Sequence, residues 1–176
     1  MMANFGRGKL ARSRPHSGQI TFLQMMVIAL VAFLTFTIIT SAIHEIGIII
    51  STALLGGTVV HSSVSWFWGA TNITGVGPAA SLWFVYISGT LFVMLFMFAL
   101  LLYPEPLYTN IAAIVLGFRN LIDGAPFLQG SDGSLAYQVS PVGAWLWYVV
   151  LFIAFAFAAA YASGYRVAFR EGLRWK

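Results

Sequence analysis

From Ile20 to Leu55 the chain offers water almost nothing to solvate. His44 and Glu45 are the only ionisable side chains in that run. As one helix, about 36 residues make a rod of about 54 Å, against a bilayer core of about 30 Å. The run therefore predicts a membrane-spanning helix that is strongly tilted, protrudes or is broken. The stretch Thr35 to Ser41, rich in Thr and Ser, is where the sequence offers a break. An ionisable pair inside such a segment is costly to hold, so His44 and Glu45 are by default functional-site candidates.

Composition points the same way. The chain is 60% hydrophobic and 8% charged, against about 25% charged in a soluble domain. Its 176 residues suffice for one compact bundle of about four spans, with little left for a soluble domain. With no cysteine, disulfides, iron–sulfur clusters and thiolate zinc sites are excluded within the chain. The net charge of +4 gathers at the ends. Arg7, Lys9, Arg12 and Arg14 lie in the tail 1–19; Arg166, Arg170, Arg174 and Lys176 lie in the tail 166–176, opposed by Glu171. The positive-inside rule places both tails in the cytoplasm. Anchoring beside a bilayer accounts for them without nucleic acid. The apolar run is longer than a signal peptide's core, and no small-residue cleavage site stands out.

A single transmembrane domain is expected over 20–165. Gly56-Gly57 ends the first element, and Thr58 to Trp68 reads as a short hairpin or interfacial segment. Gly69 to Gly77 reads as loop. The second span covers Pro78 to Tyr103, with Pro78 suited to a first helical turn. Pro104-Glu105-Pro106 makes a turn, a third helix covers Leu107 to Ile122, and a polar loop runs from Asp123 to Pro141. The last span, Val142 to Tyr165, carries small residues from Ala154 to Gly164 that suit close packing in lipid. Four spans put both basic tails on one side. The loops 56–77 and 123–140 then share the other side. The tryptophans, Trp66, Trp68, Trp83, Trp145, Trp147 and Trp175, read as interface belts.

The sequence around the pair is His44-Glu45-Ile46-Gly47-Ile48. On a helix, positions 44 and 48 share a face. In an HExxH site two histidines at that spacing grip zinc, and the glutamate activates a bound water. A third protein ligand comes from elsewhere, and a fourth position stays open. Here Ile48 stands where the second histidine belongs and has nothing to donate.

Further motifs follow in order: Leu55-Gly56-Gly57 before a β-like stretch, Gly77-Pro78-Ala79-Ala80-Ser81 opening the next helix, Asn120-Leu121-Ile122-Asp123, and Gly130-Ser131-Asp132-Gly133. With His44-Glu45-x-Gly47 they span roughly residues 40–135. In that arrangement the chain resembles the site-2 protease family of intramembrane zinc metalloproteases, in its small M50B-like branch. The resemblance implies His44 as a zinc ligand, Glu45 as general base and Asp132 as the distal metal ligand, with Asp123 competing for that last role. It equally implies that zinc is weakly held or absent. Changes one shell further out cost about 10–100-fold, and here a ligand itself is missing.

Several readings of the residues stay open at this stage. His44 and Glu45 can hydrogen-bond within the bundle as relics of the fold, or pair with Arg119. A substitute ligand such as His61 can rescue a zinc site. His44, Glu45, Asp123 and Asp132 can form a proton relay. Arg119 and Asp123 stand at i, i+4 and suit a local ion pair. The expected protein is an all-α polytopic membrane protein of about four transmembrane helices with a short β-like insertion after the first. Its expected role is a non-catalytic subunit whose old substrate groove binds another transmembrane protein. The alternatives are an active zinc metalloprotease and a small proton- or ion-conducting component.

Overall fold

The computed structural model describes residues 22–103 and 106–165. The basic tails 1–19 and 166–176, with His16 and Trp175, lie outside the described residues, as do Pro104 and Glu105 of the expected turn.

The long apolar run is one continuous rod. Helix α1 (Phe22–Leu34) passes through a π-helical turn (Thr35–Ile39) into α2 (Thr40–Leu54). The Thr/Ser stretch marks a change of winding instead of a break. Three hydroxyls there bond back to carbonyls of their own helix: Thr37 to Phe33 at 2.8 Å, Thr40 to Thr35 at 2.5 Å and Ser41 to Thr37 at 2.9 Å. The Thr40 bond spans five residues, the spacing of a π turn.

A two-stranded antiparallel sheet follows, β1 (Thr58–Val64) with β2 (Gly69–Thr74), its register slipping between Val59 and His61. The segment Gly69 to Gly77, expected as loop, thus supplies the second strand. Its β-branched Thr71, Ile73 and Thr74 pair with the first strand. The turn closes where the Ser65 amide donates to the Trp68 carbonyl at 2.9 Å.

Helix α3 (Ala79–Leu102) starts after Pro78, which caps it in an extended conformation. Helix α4 is Pro106–Asp123 and α6 is Pro141–Ala160, running on into a second π turn (Tyr161–Tyr165). Between them the polar segment expected as loop forms a short helix, α5 (Asp132–Val139). Ser131 caps it by accepting from the Ser134 amide at 3.1 Å, which satisfies one free N–H of the first turn.

Contacts set the helix directions. Trp83 meets Gly143, and Val93, Met97 and Leu101 share a core with Ala154 and Ala158, so α3 and α6 run parallel. Thr90 meets Asn120 while Met97 meets Gly117, so α4 runs against α3. That core is completed by Ala113 and Leu116 of α4. The alanines of α6 let the helices approach closely, as their size leads one to expect. A second cluster, Ile87, Ala136 and Ala144, is covered by Trp83, Tyr86 and Trp147. Trp147 also donates from Nε1 to Thr90 Oγ1 at 2.8 Å. Trp83 and Trp147 are therefore partly buried and pack within the bundle.

Among the described residues three helices are long and apolar enough to cross a membrane: Phe22–Leu54, Ala79–Leu102 and Pro141–Ser163. The protein is thus mainly helical and suited to a lipid bilayer. Helix α4 is less apolar and carries Asn110, Arg119, Asn120 and Asp123.

Candidate functional site

The winding of α2 buries His44 and Glu45 together, at 7% and 4% exposure. Opposite the His44 ring, α3 presents Gly89. A Cβ at Gly89 would lie 2.6 Å from His44 Cε1, so only glycine leaves the imidazole its place. Gly89 is ten residues past Ala79 in α3, about 15 Å along the axis. The pair therefore sits near the middle of the bundle's depth, a position the overlong first element did not fix.

Asp132 arrives from the first turn of α5. Two devices hold it. Ser131 caps the helix and donates from its hydroxyl to the Ala125 carbonyl at 2.6 Å. Gly133 packs directly on the Gly124 backbone, with no room for a Cβ. As a result Asp132 Oδ2 lies 2.9 Å from His44 Nε2. Both atoms are buried, and neither forms a properly directed hydrogen bond. On the other side of the ring, His44 Nδ1 is 3.6 Å from Glu45 Oε1.

The hairpin supplies the remaining wall. Thr71 Oγ1 donates to Glu45 Oε2, and Ser62 and Thr71 share a hydroxyl–hydroxyl bond of 2.9 Å. Gly69 runs so close over the Glu45 carboxylate that any Cβ there would overlap it. Arg119 pairs with Asp123 (Nε to Oδ2, 3.1 Å), donates from Nη2 to the Phe67 carbonyl at 2.6 Å and lies 5.3 Å over the Phe36 ring. It therefore ties α4 to the hairpin turn and the π turn.

These groups surround a cavity of about 340 Å³. Its wall includes Ser41, His44, Glu45, Asp123 and Asp132. Of the two aspartates proposed from sequence, Asp132 is the one against His44, while Asp123 is held by Arg119. Arg119 pairs with neither His44 nor Glu45. His61 stands exposed on β1 opposite Asn72 and does not line the cavity.

Zinc is the metal the resemblance implies, and the donors only partly suit it. His44 Nε2 and Asp132 Oδ2 converge as two ligands would. Ile48, one turn along α2 and buried, contributes no donor. Among the described residues no group of three His, Cys, Asp or Glu is placed to hold a metal ion. Among the described residues a three-ligand catalytic zinc site is not assembled.

Sequence reasoning gave Thr71, Gly69 and Gly89 no place in the site, because each acts through a contact with a residue more than twenty positions away. Gly133 entered only as part of the motif around Asp132, and its packing on Gly124 was not foreseen. Comparison with protein-family models, curated proteins and solved structures finds no match to this chain.

Proposed function

We propose that this is an integral membrane protein with a degenerate site-2-protease-like core, acting without catalysis as a membrane subunit that binds another transmembrane helix. In this reading α4 is the fourth crossing and both termini are cytoplasmic. The observation that carries it is the state of the site. Two of three ligand positions converge, the third is a buried isoleucine, and the residue in the general-base position is engaged by Thr71. Asp123 is paired with Arg119 and Glu45 is engaged by Thr71, so neither carboxylate needs a substrate to satisfy it.

The partner is argued from the hairpin. It folds back along the bundle until the Trp66 ring lies 6.1 Å from that of Phe33, a residue well before His44 in the first helix. Most of both strands is exposed, including the polar His61, Ser62, Ser63 and Asn72. Non-helical backbone at membrane depth is tolerated only when covered by protein or facing a water-filled cavity. A neighbouring protein supplies that cover.

One observation favours the alternative of an active zinc metalloprotease with a substitute ligand: His44 Nε2 and Asp132 Oδ2 are both unspent in hydrogen bonding. A conductor draws less support. The buried hydroxyls of Thr37, Thr40 and Ser41 spend their protons on carbonyls of their own helix and make no path.

The test is zinc per polypeptide in detergent-purified protein after a mild chelator wash, read by elemental mass spectrometry. The proposal expects a value near zero. About one zinc per chain, lost in His44→Ala and in Asp132→Ala, overturns it in favour of the enzyme.

A further inference from the structure

The hairpin is joined to the bundle by glycine on both sides: Leu55-Gly56-Gly57 before β1 and Gly75-Val76-Gly77 after β2. Gly56 and Gly75 both sit in the left-handed region, at φ 74° and 73°, where other residues are strained. A Cβ at Gly56 or Gly77 would meet nothing within 4 Å, so these two positions are not wedged. The strands themselves are mostly exposed.

Gly57, by contrast, packs on Val76 and Thr52 and donates from its amide to the Thr52 carbonyl at 2.9 Å. The free pivots are therefore Gly56, Gly75 and Gly77, and beyond them the hairpin is held by a few specific contacts. Thr71 donates to the Glu45 carboxylate. Arg119 donates to the Phe67 carbonyl at 2.6 Å. Trp66 packs on Phe33. Gly69 lies flush on Glu45. Three of these four reach residues or elements that wall the cavity. Trp68 and Gly69 of the hairpin are themselves part of that wall.

We propose that the β-hairpin 58–74 is a lid, hinged at the flanking glycines and latched by Thr71 on Glu45, whose opening exposes Glu45 and the cavity around His44. The latch is built so that a ligand can release it. A group that offers the Glu45 carboxylate a better donor than a threonine hydroxyl displaces Thr71 and shifts the lid towards open. The closed form leaves the carboxylate bonded instead of orphaned, which is what allows a buried acid to persist without a ligand. The inference concerns access to the site and holds whether or not the site binds zinc.

The chain lacks cysteine, so a spin-label pair can be placed cleanly. Ser63→Cys on the hairpin and Gln138→Cys on α5 are both exposed positions outside the latch and the cavity wall. Distances are read by double electron–electron resonance in lipid nanodiscs, with the native latch and with Thr71→Val or Gly69→Val. The native latch should give a dominant short distance. Thr71→Val, close in shape, removes one bond to a charged group and should raise the share of a longer distance roughly tenfold. Gly69→Val should raise it further by wedging the strand off Glu45. An unchanged distribution in Thr71→Val overturns the lid, and that variant decides the matter if Gly69→Val fails to fold. Zinc content, measured separately, tests the proposed function independently.

Discussion

Replacing Gly89 with alanine tests the placement of the whole site. In an ordinary helix that change stabilises by up to about 1 kcal/mol, because glycine loses more backbone freedom on folding. Here the added Cβ would stand 2.6 Å from Cε1 and 2.7 Å from Cδ2 of His44, well inside van der Waals contact. The ring has little room to swing aside, since Asp132 Oδ2 lies 2.9 Å from one nitrogen and Glu45 Oε1 lies 3.6 Å from the other. Overpacking of this kind costs about 1–3 kcal/mol. The sign should reverse when the ring is gone. In a His44→Ala background, Gly89→Ala should be neutral or stabilising by up to about 1 kcal/mol. The double-mutant cycle should then give a coupling of about 1–4 kcal/mol between the two positions. The assay is reversible unfolding in mixed micelles for the four proteins, read by helical circular dichroism. Additive effects, with Gly89→Ala costing the same in both backgrounds, would refute the seating of His44 against α3.

Ile48→His should restore the third donor on the His44 face and raise bound zinc towards one per chain, and adding Asp132→Asn should remove it again. An Ile48→His protein without zinc would mean that His44 and Asp132 are not in ligand geometry. Arg119→Met should destabilise by about 3–5 kcal/mol, because it strands a largely buried Asp123; unfolding of Arg119→Met/Asp123→Leu should recover most of that loss, and no recovery would refute the ion pair as the cause. Gly133→Ala should cost at least about 1–3 kcal/mol by forcing α5 off the Gly124 backbone, and a chain as stable as native in the same assay would contradict that close approach.

The parts of this fold legible in the sequence are those governed by short-range rules. Apolar runs found Phe22–Leu54, Ala79–Leu102 and α4 to within a few residues, because apolarity is a property of the segment itself. Pro78 and the glycines marked the element boundaries. The Thr35 to Ser41 stretch marked an irregularity, but its form depends on hydroxyls that satisfy their own carbonyls, so the rod bends its winding without breaking. The polar segment 123–141 hid a helix because α5 is only eight residues long, is set by a serine cap and a glycine contact, and packs into the core through the small Ala136. Strand β2 was missed for a related reason: its register comes from β1. At the site, the motif order singled out His44, Glu45 and Asp132, which the structure gathers. It favoured Asp132 and kept Asp123 as a competitor, because what separates the two is where Arg119 reaches.

Two histidine nitrogens, three carboxylates and one guanidinium lie in or beside one cavity midway along the helices, an expensive arrangement for a membrane protein. Its cost falls because the groups answer one another across four elements. Asp132 of α5 meets His44 of α2, Thr71 of β2 meets Glu45 of α2, and Arg119 of α4 meets Asp123 and the hairpin turn. These links tie α2, α4, α5 and the hairpin to one another even with no chemistry to perform. That gives a physical reason for His44, Glu45 and Asp132 to stand together whether or not the site binds a metal. It also locates the weak point. Among these links, only the one to Glu45 runs through a neutral hydroxyl on a glycine-hinged hairpin, so that is where a binding partner can act on the site.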